Sequence, residues 1–113
     1  MNIYQNEQDA IYALHKKGYS NDFHLFGNDL LWIQKKIFIR PGNYSITECH
    51  RFRHPQHEGK EIIVFAIEVA AHNAKGIMLN DYAAYTMQTP PVIAKKLAAM
   101  HAHTGLLTAR MYQ

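Results

Sequence analysis

The sequence predicts an α+β fold, a two-layer sandwich in which an antiparallel sheet of four or five strands carries helices near both termini on one face. Three observations lead there. The run Ile62 to Val69, IIVFAIEV, is dense in β-branched and aromatic residues, which suit a pleated, half-buried surface. Helical patterns with start and stop signals lie near each end, after Asn6 and after Pro90. Between them, Gly-, Pro- and Asn-containing turns separate strand-like runs at short intervals. The expected order is α-β-β-β-β-α.

The first helix begins at Asn6 as N-cap, with Glu7 and Asp9 in its first turn. Lys16 and Lys17 close it and Gly18 stops it, a charge order that suits the helix dipole. Ile11 and Leu14, with Ala10 or His15, make its buried stripe. Asp22 to Phe26 is a short strand. After the turn Gly27-Asn28-Asp29, Leu30 to Ile39 reads as one further strand. Its polar middle, Gln34-Lys35-Lys36, marks a sheet edge, where lysine discourages stray pairing.

Arg40-Pro41-Gly42-Asn43 is a turn. Tyr44 to Phe52 alternates, with Tyr44, Ile46, Glu48, His50 and Phe52 on the core face unless a bulge re-aims them. In the central run, Ile63, Phe65, Ile67 and Val69 share one face; Ile62, Val64, Ala66 and Glu68 share the other. A strand apolar on nearly both sides sits in mid-sheet. His72 to Gly76 is a turn and Ile77 to Leu79 a last short strand, so these three strands form a meander. Asn80 to Thr89 has no assigned element. The second helix runs from Pro91 to His103, with Ile93, Leu97 and Met100 inward and Lys95 and Lys96 outward. The segment after Gly105, with Leu106, Leu107, Met111 and Tyr112, docks on the domain or meets a partner chain.

A chain of 113 residues forms one domain, 1–113. No apolar run approaches the roughly 20 residues of a membrane span, and the N-terminal residues show no signal-peptide pattern. The single cysteine, Cys49, leaves no internal disulfide and fits the cytoplasm. The net charge of +3 is too modest to argue for nucleic acid. Eight histidines are the one compositional excess.

Three stretches, LHKKGYSNDF (Leu14 to Phe23), YSITECHRF (Tyr44 to Phe52) and KGIMLNDYAAY (Lys75 to Tyr85), resemble a small family of uncharacterised bacterial proteins of about this length. Some of those proteins carry the label phosphoribosylpyrophosphate synthetase. The resemblance implies a domain without established activity; the synthetase label does not fit this sequence, because no Gly-rich phosphate loop opens a helix here.

Four groups of residues are candidates for function. His50, His54 and His57, with Glu58, carry imidazoles and a carboxylate that could hold a borderline metal such as zinc, although the spacing matches no standard site. Glu48 and Glu68 fall on neighbouring strands, and a partnered carboxylate in apolar surroundings can act as acid or base. Arg51, Tyr82 and Tyr85 are the expected ligand-binding residues. Cys49 has Arg51 two positions on, which favours thiolate, but no histidine on its face. Basic residues along one sheet face suggest single-strand binding, against which stand the small charge and the missing ribonucleoprotein signature. The leading expectation is a non-catalytic binding or interaction module for a small molecule or protein, homodimeric by common symmetry and without a cofactor. A small enzyme using Glu48 and Glu68 on a phosphorylated metabolite is the alternative, and metal binding the third.

Overall fold

The computed structural model describes residues 3–53 and 59–104. It is α+β, as the sequence indicates, but with one six-stranded mixed sheet and three helices. In chain order these are α1 (Glu7–Lys16), β1 (Asn21–Phe26), β2 (Asp29–Trp32), β3 (Ile37–Ile39), β4 (Ser45–Arg53), β5 (Glu61–Val69), β6 (Ala74–Asp81), α2 (Tyr82–Met87) and α3 (Pro91–Thr104). Short 3-10 turns occupy Pro41–Asn43 and Ala70–His72.

The strand order is β3-β2-β1-β6-β5-β4. Two antiparallel meanders, β1-β2-β3 and β4-β5-β6, meet at a parallel seam where Asn21 pairs with Gly76 and Asp22 with Ile77. This corrects the expected four- or five-stranded antiparallel sheet. The expected Leu30–Ile39 strand is a hairpin: Lys36 turns left-handed at φ 55°, and its N–H closes the turn on the Trp32 carbonyl at 2.8 Å. The polar triplet read as an edge is that turn, and β3 beyond it is the sheet edge.

The helices lie on opposite faces, which corrects the two-layer, one-face arrangement. Ile63, Phe65, Ile67 and Val69 of β5 join Ile93, Leu97 and Met100 of α3 in the larger core. Val64 and Ala66 join Ala10 and Leu14 of α1 in the smaller one. A strand apolar on both sides needs cover on both, and one helix layer cannot supply it. Asn6 caps α1, its side chain accepting from the Asp9 N–H at 2.8 Å. At the far end Gly18 adopts φ 98°, Tyr19 N–H donates to the Leu14 carbonyl and Gly18 N–H to that of His15. This is a Schellman closure, and its apolar pair, Tyr19 and Leu14, lies in the smaller core.

The register of β4 slips between Ile46 and Glu48. The bulge around Thr47 leaves Ile46 and Cys49 in the α3-side core and sends Phe52 to the α1 side. The expected single face from Tyr44 to Phe52 is therefore split. The helix α2, absent from the sequence reading, starts where the Asp81 carboxylate accepts from the Ala83 N–H at 3.0 Å. Lys96, expected to point outward, turns back to donate to the Pro41 and Tyr44 carbonyls.

Candidate functional site

Strand direction brings one end of the sheet together with the C-terminus of α1. The starts of β1, β4 and β6 and the ends of β2 and β5 all lie there, by the pairings Phe23–Trp32, Asn21–Gly76, Val69–Ala74 and Ser45–Glu68. Lys16 and Lys17 end α1, Lys35 and Lys36 sit in the β2–β3 turn, and Lys75 begins β6. Spread through the sequence, these lysines converge at this end of the fold.

An open groove of about 380 Å³ runs across this end, lined by Lys17, Ser20, Asn21, Trp32, His72 and Lys75 among others. Its floor is set by Asn21. The side-chain oxygen of Asn21 accepts from the Trp32 indole N–H at 2.9 Å, and its amide nitrogen donates to the Lys75 carbonyl at 2.9 Å. One side chain thus ties β2 and β6 to β1 across the parallel seam. The 3-10 turn at Ala70–His72 and left-handed Asn73, φ 50°, present the His72 ring edge-on to Trp32 at 5.7 Å. The Lys75 ammonium lies over the Tyr19 ring, 5.3 Å from its centre.

Lys17 joins the groove to a part-buried network. Its ammonium donates to the Tyr4 hydroxyl at 2.9 Å and to Glu48 Oε2 at 3.2 Å. Tyr4 donates to Glu48 Oε1 at 3.0 Å, and His50 Nε2 lies 2.9 Å from the same oxygen. His50 is only 2% exposed, with the Tyr4 ring edge-on to it at 4.9 Å. The His50 contact first, then the Tyr4 and Lys17 bonds, hold the Glu48 carboxyl down at about 2, against a desolvation that works the other way. The bond to Tyr4 raises the Lys17 ammonium above its ordinary value. Burial raises the Tyr4 hydroxyl.

Other sequence candidates are dispersed. Glu68 stands in register between Ser45 and Lys75. The Arg51 guanidinium lies 4.4 Å from the centre of the Tyr82 ring and 3.5 Å from a Glu61 oxygen, so these two candidates do come together. Tyr85 is instead buried in the α3-side core, where its hydroxyl has no hydrogen-bond partner among the described residues. Cys49 is buried, which pushes its thiol up to about 12 and leaves almost no thiolate at neutral pH. His54, His57 and Glu58 lie outside the described residues. Among the described residues no three His, Cys, Asp or Glu side chains form a group able to hold a metal.

Sequence reasoning missed Asn21, His72 with Trp32, and the joining of Lys17 to Glu48. The one available signal was the clustering of Lys and Gly at two turn-flanked positions, Lys16-Lys17-Gly18 and Lys75-Gly76. Comparison with family models, with curated proteins and with solved structures yields no match.

Proposed function

We propose that this protein is a non-catalytic binding module whose groove at the lysine-rich end takes a small anionic ligand, such as a phosphorylated or polycarboxylate metabolite. The observation that carries this reading is the groove itself, open to solvent and walled by Lys17 and Lys75 with Ser20, Asn21 and His72 between them. An ammonium offers three donors. Among the described residues, two of those on Lys17 are occupied, by Tyr4 and Glu48, which fixes the group in place and leaves a third for a ligand. The Schellman closure occupies the Leu14 and His15 carbonyls of α1, so fewer acceptors at this end repel an anion.

The chemistry of Glu48 supports binding over catalysis. A general acid or base works best with a pKa near the working pH, and a carboxyl held at about 2 stays ionised and accepts protons poorly. Membership of the small bacterial family, on the strength of the three stretches around Leu14, Tyr44 and Lys75, is likewise our proposal. So are a cytoplasmic setting and a homodimer. No helix among the described residues is long and apolar enough to cross a membrane.

The test is the melting temperature of the full chain with phosphate, pyrophosphate, ribose 5-phosphate, AMP or citrate, in low salt. A ligand bound only by the folded state adds about 2.7 kcal/mol at 100 times its dissociation constant. We expect one of these anions to raise the transition and Lys75→Glu to abolish the rise. A rise that survives Lys75→Glu, or no rise with any of them, contradicts the reading.

A further inference from the structure

A different surface, the outer edge of β3, has features of its own. β3 pairs with β2 alone, through Ile39–Leu30, Phe38–Leu31 and Ile37–Trp32, and no strand lies on its other side among the described residues. An unpaired edge is a template for a further strand. Ile37 and Phe38, on opposite faces of this edge, are 38% and 57% exposed. Phe38 continues a row that runs through Leu31 to His24, with Phe26 edge-on to it at 5.9 Å and 55% exposed. α1 packs over β4, β5 and β6 and leaves this row uncovered. Basic side chains stand at both ends of the edge: Lys35 and Lys36 before it, and after it Arg40, whose Nε lies 3.9 Å from an Asp29 oxygen and whose side chain is still 80% exposed.

From this arrangement we infer that the β3 edge is a docking site for an extended, acidic segment of a partner protein, which adds a strand beside Ile37–Ile39. The incoming backbone would pair with the open edge, its apolar face would rest on Phe38 beside Phe26, and its acidic residues would meet the basic ends. Charge selects this occupant over a second copy. Two β3 edges paired antiparallel about a two-fold axis at Phe38 would set Lys36 of one copy against Arg40 of the other, twice, and like charges directly opposite are destabilising. In-register parallel pairing would set each basic residue against itself. Lysines that served only to block stray pairing would account for the charge and not for the two exposed, mutually packed phenylalanines.

The probe is a short fluorescent peptide of alternating valine and glutamate, titrated with the full chain and followed by anisotropy. Two control peptides go with it: one with lysine in place of glutamate, and one with the acidic sequence but N-methylated at every residue, so that neither backbone edge can donate. We expect saturable, salt-sensitive binding of the acidic peptide alone, weakened about tenfold or more by Lys35→Glu with Lys36→Glu. Equal binding of the N-methylated peptide would show charge attraction without strand pairing and would overturn the inference. So would the absence of saturable binding. So too would a dimer in sedimentation velocity that Phe38→Glu dissociates, because the edge would then belong to a second copy.

Discussion

At neutral pH the Glu48 carboxylate is ionised and bound by Tyr4, Lys17 and His50. Its pKa falls from the ordinary 4.5 to about 2 on folding. A depressed folded value adds stability that is complete above the unfolded value and is lost as pH falls toward the folded one. We therefore predict an acid loss of stability between about pH 4.5 and 2 that Glu48→Gln largely removes, read from urea midpoints across that range. At pH 7 the same variant should lose roughly 1–3 kcal/mol, as expected when bonds to a charged, part-buried group are broken. Two core tyrosines should behave in opposite ways. Tyr44 donates to the Asn28 carbonyl at 3.0 Å, so Tyr44→Phe should lower the melting temperature. The Tyr85 hydroxyl is buried without a partner among the described residues, so Tyr85→Phe should leave it unchanged or raise it. Residue identity alone could not separate these two tyrosines, because the difference lies in one carbonyl sixteen positions away in sequence. Glu48 and His50 were legible as neighbours on one strand face, but their partners Tyr4 and Lys17 come from the segments that flank α1, more than thirty positions away.

The elements show how local pattern and long-range contact divide the work. The cap at Asn6, the stop at Gly18 and the inward stripe of Ile93, Leu97 and Met100 could all be read directly, since each depends on residues within a few turns of helix. The split of Leu30–Ile39 into a hairpin could not, because nothing in Gln34-Lys35-Lys36 announces a left-handed lysine. The bulge around Thr47 was likewise hidden, as it arises from the fit of β4 to β5. The parallel seam was hidden too: Gly76, read as the end of a turn, lies inside β6, where a glycine is a usual mark of close backbone approach. A β-carbon at that position would overlap the Asn21 carbonyl oxygen and the Phe23 ring. Gly76→Ala should thus force β1 and β6 apart. We expect a loss of about 3 kcal/mol, at the upper end for overpacking, measured by urea denaturation, with Gly42→Ala as the control because space there is open.

At the scale of the whole molecule, α1 on one face and α3 on the other leave the lysine-rich end and the β3 edge open among the described residues. The fold class followed from strand composition and the flanking helices. The site did not, because Lys17, Asn21, Trp32, His72 and Lys75 are neighbours only after two meanders join in parallel. We propose this end of the sheet as the ligand site. Its most direct test is to map amide chemical shifts of the labelled full chain while titrating the anion that most raises the melting temperature, or pyrophosphate if none does. Shifts centred on Ser20, Asn21, Asn73 and Lys75, saturating together and absent in Lys75→Glu, are the predicted result. Shifts centred on Arg51 and Tyr82, or no saturating shifts at all, would contradict it.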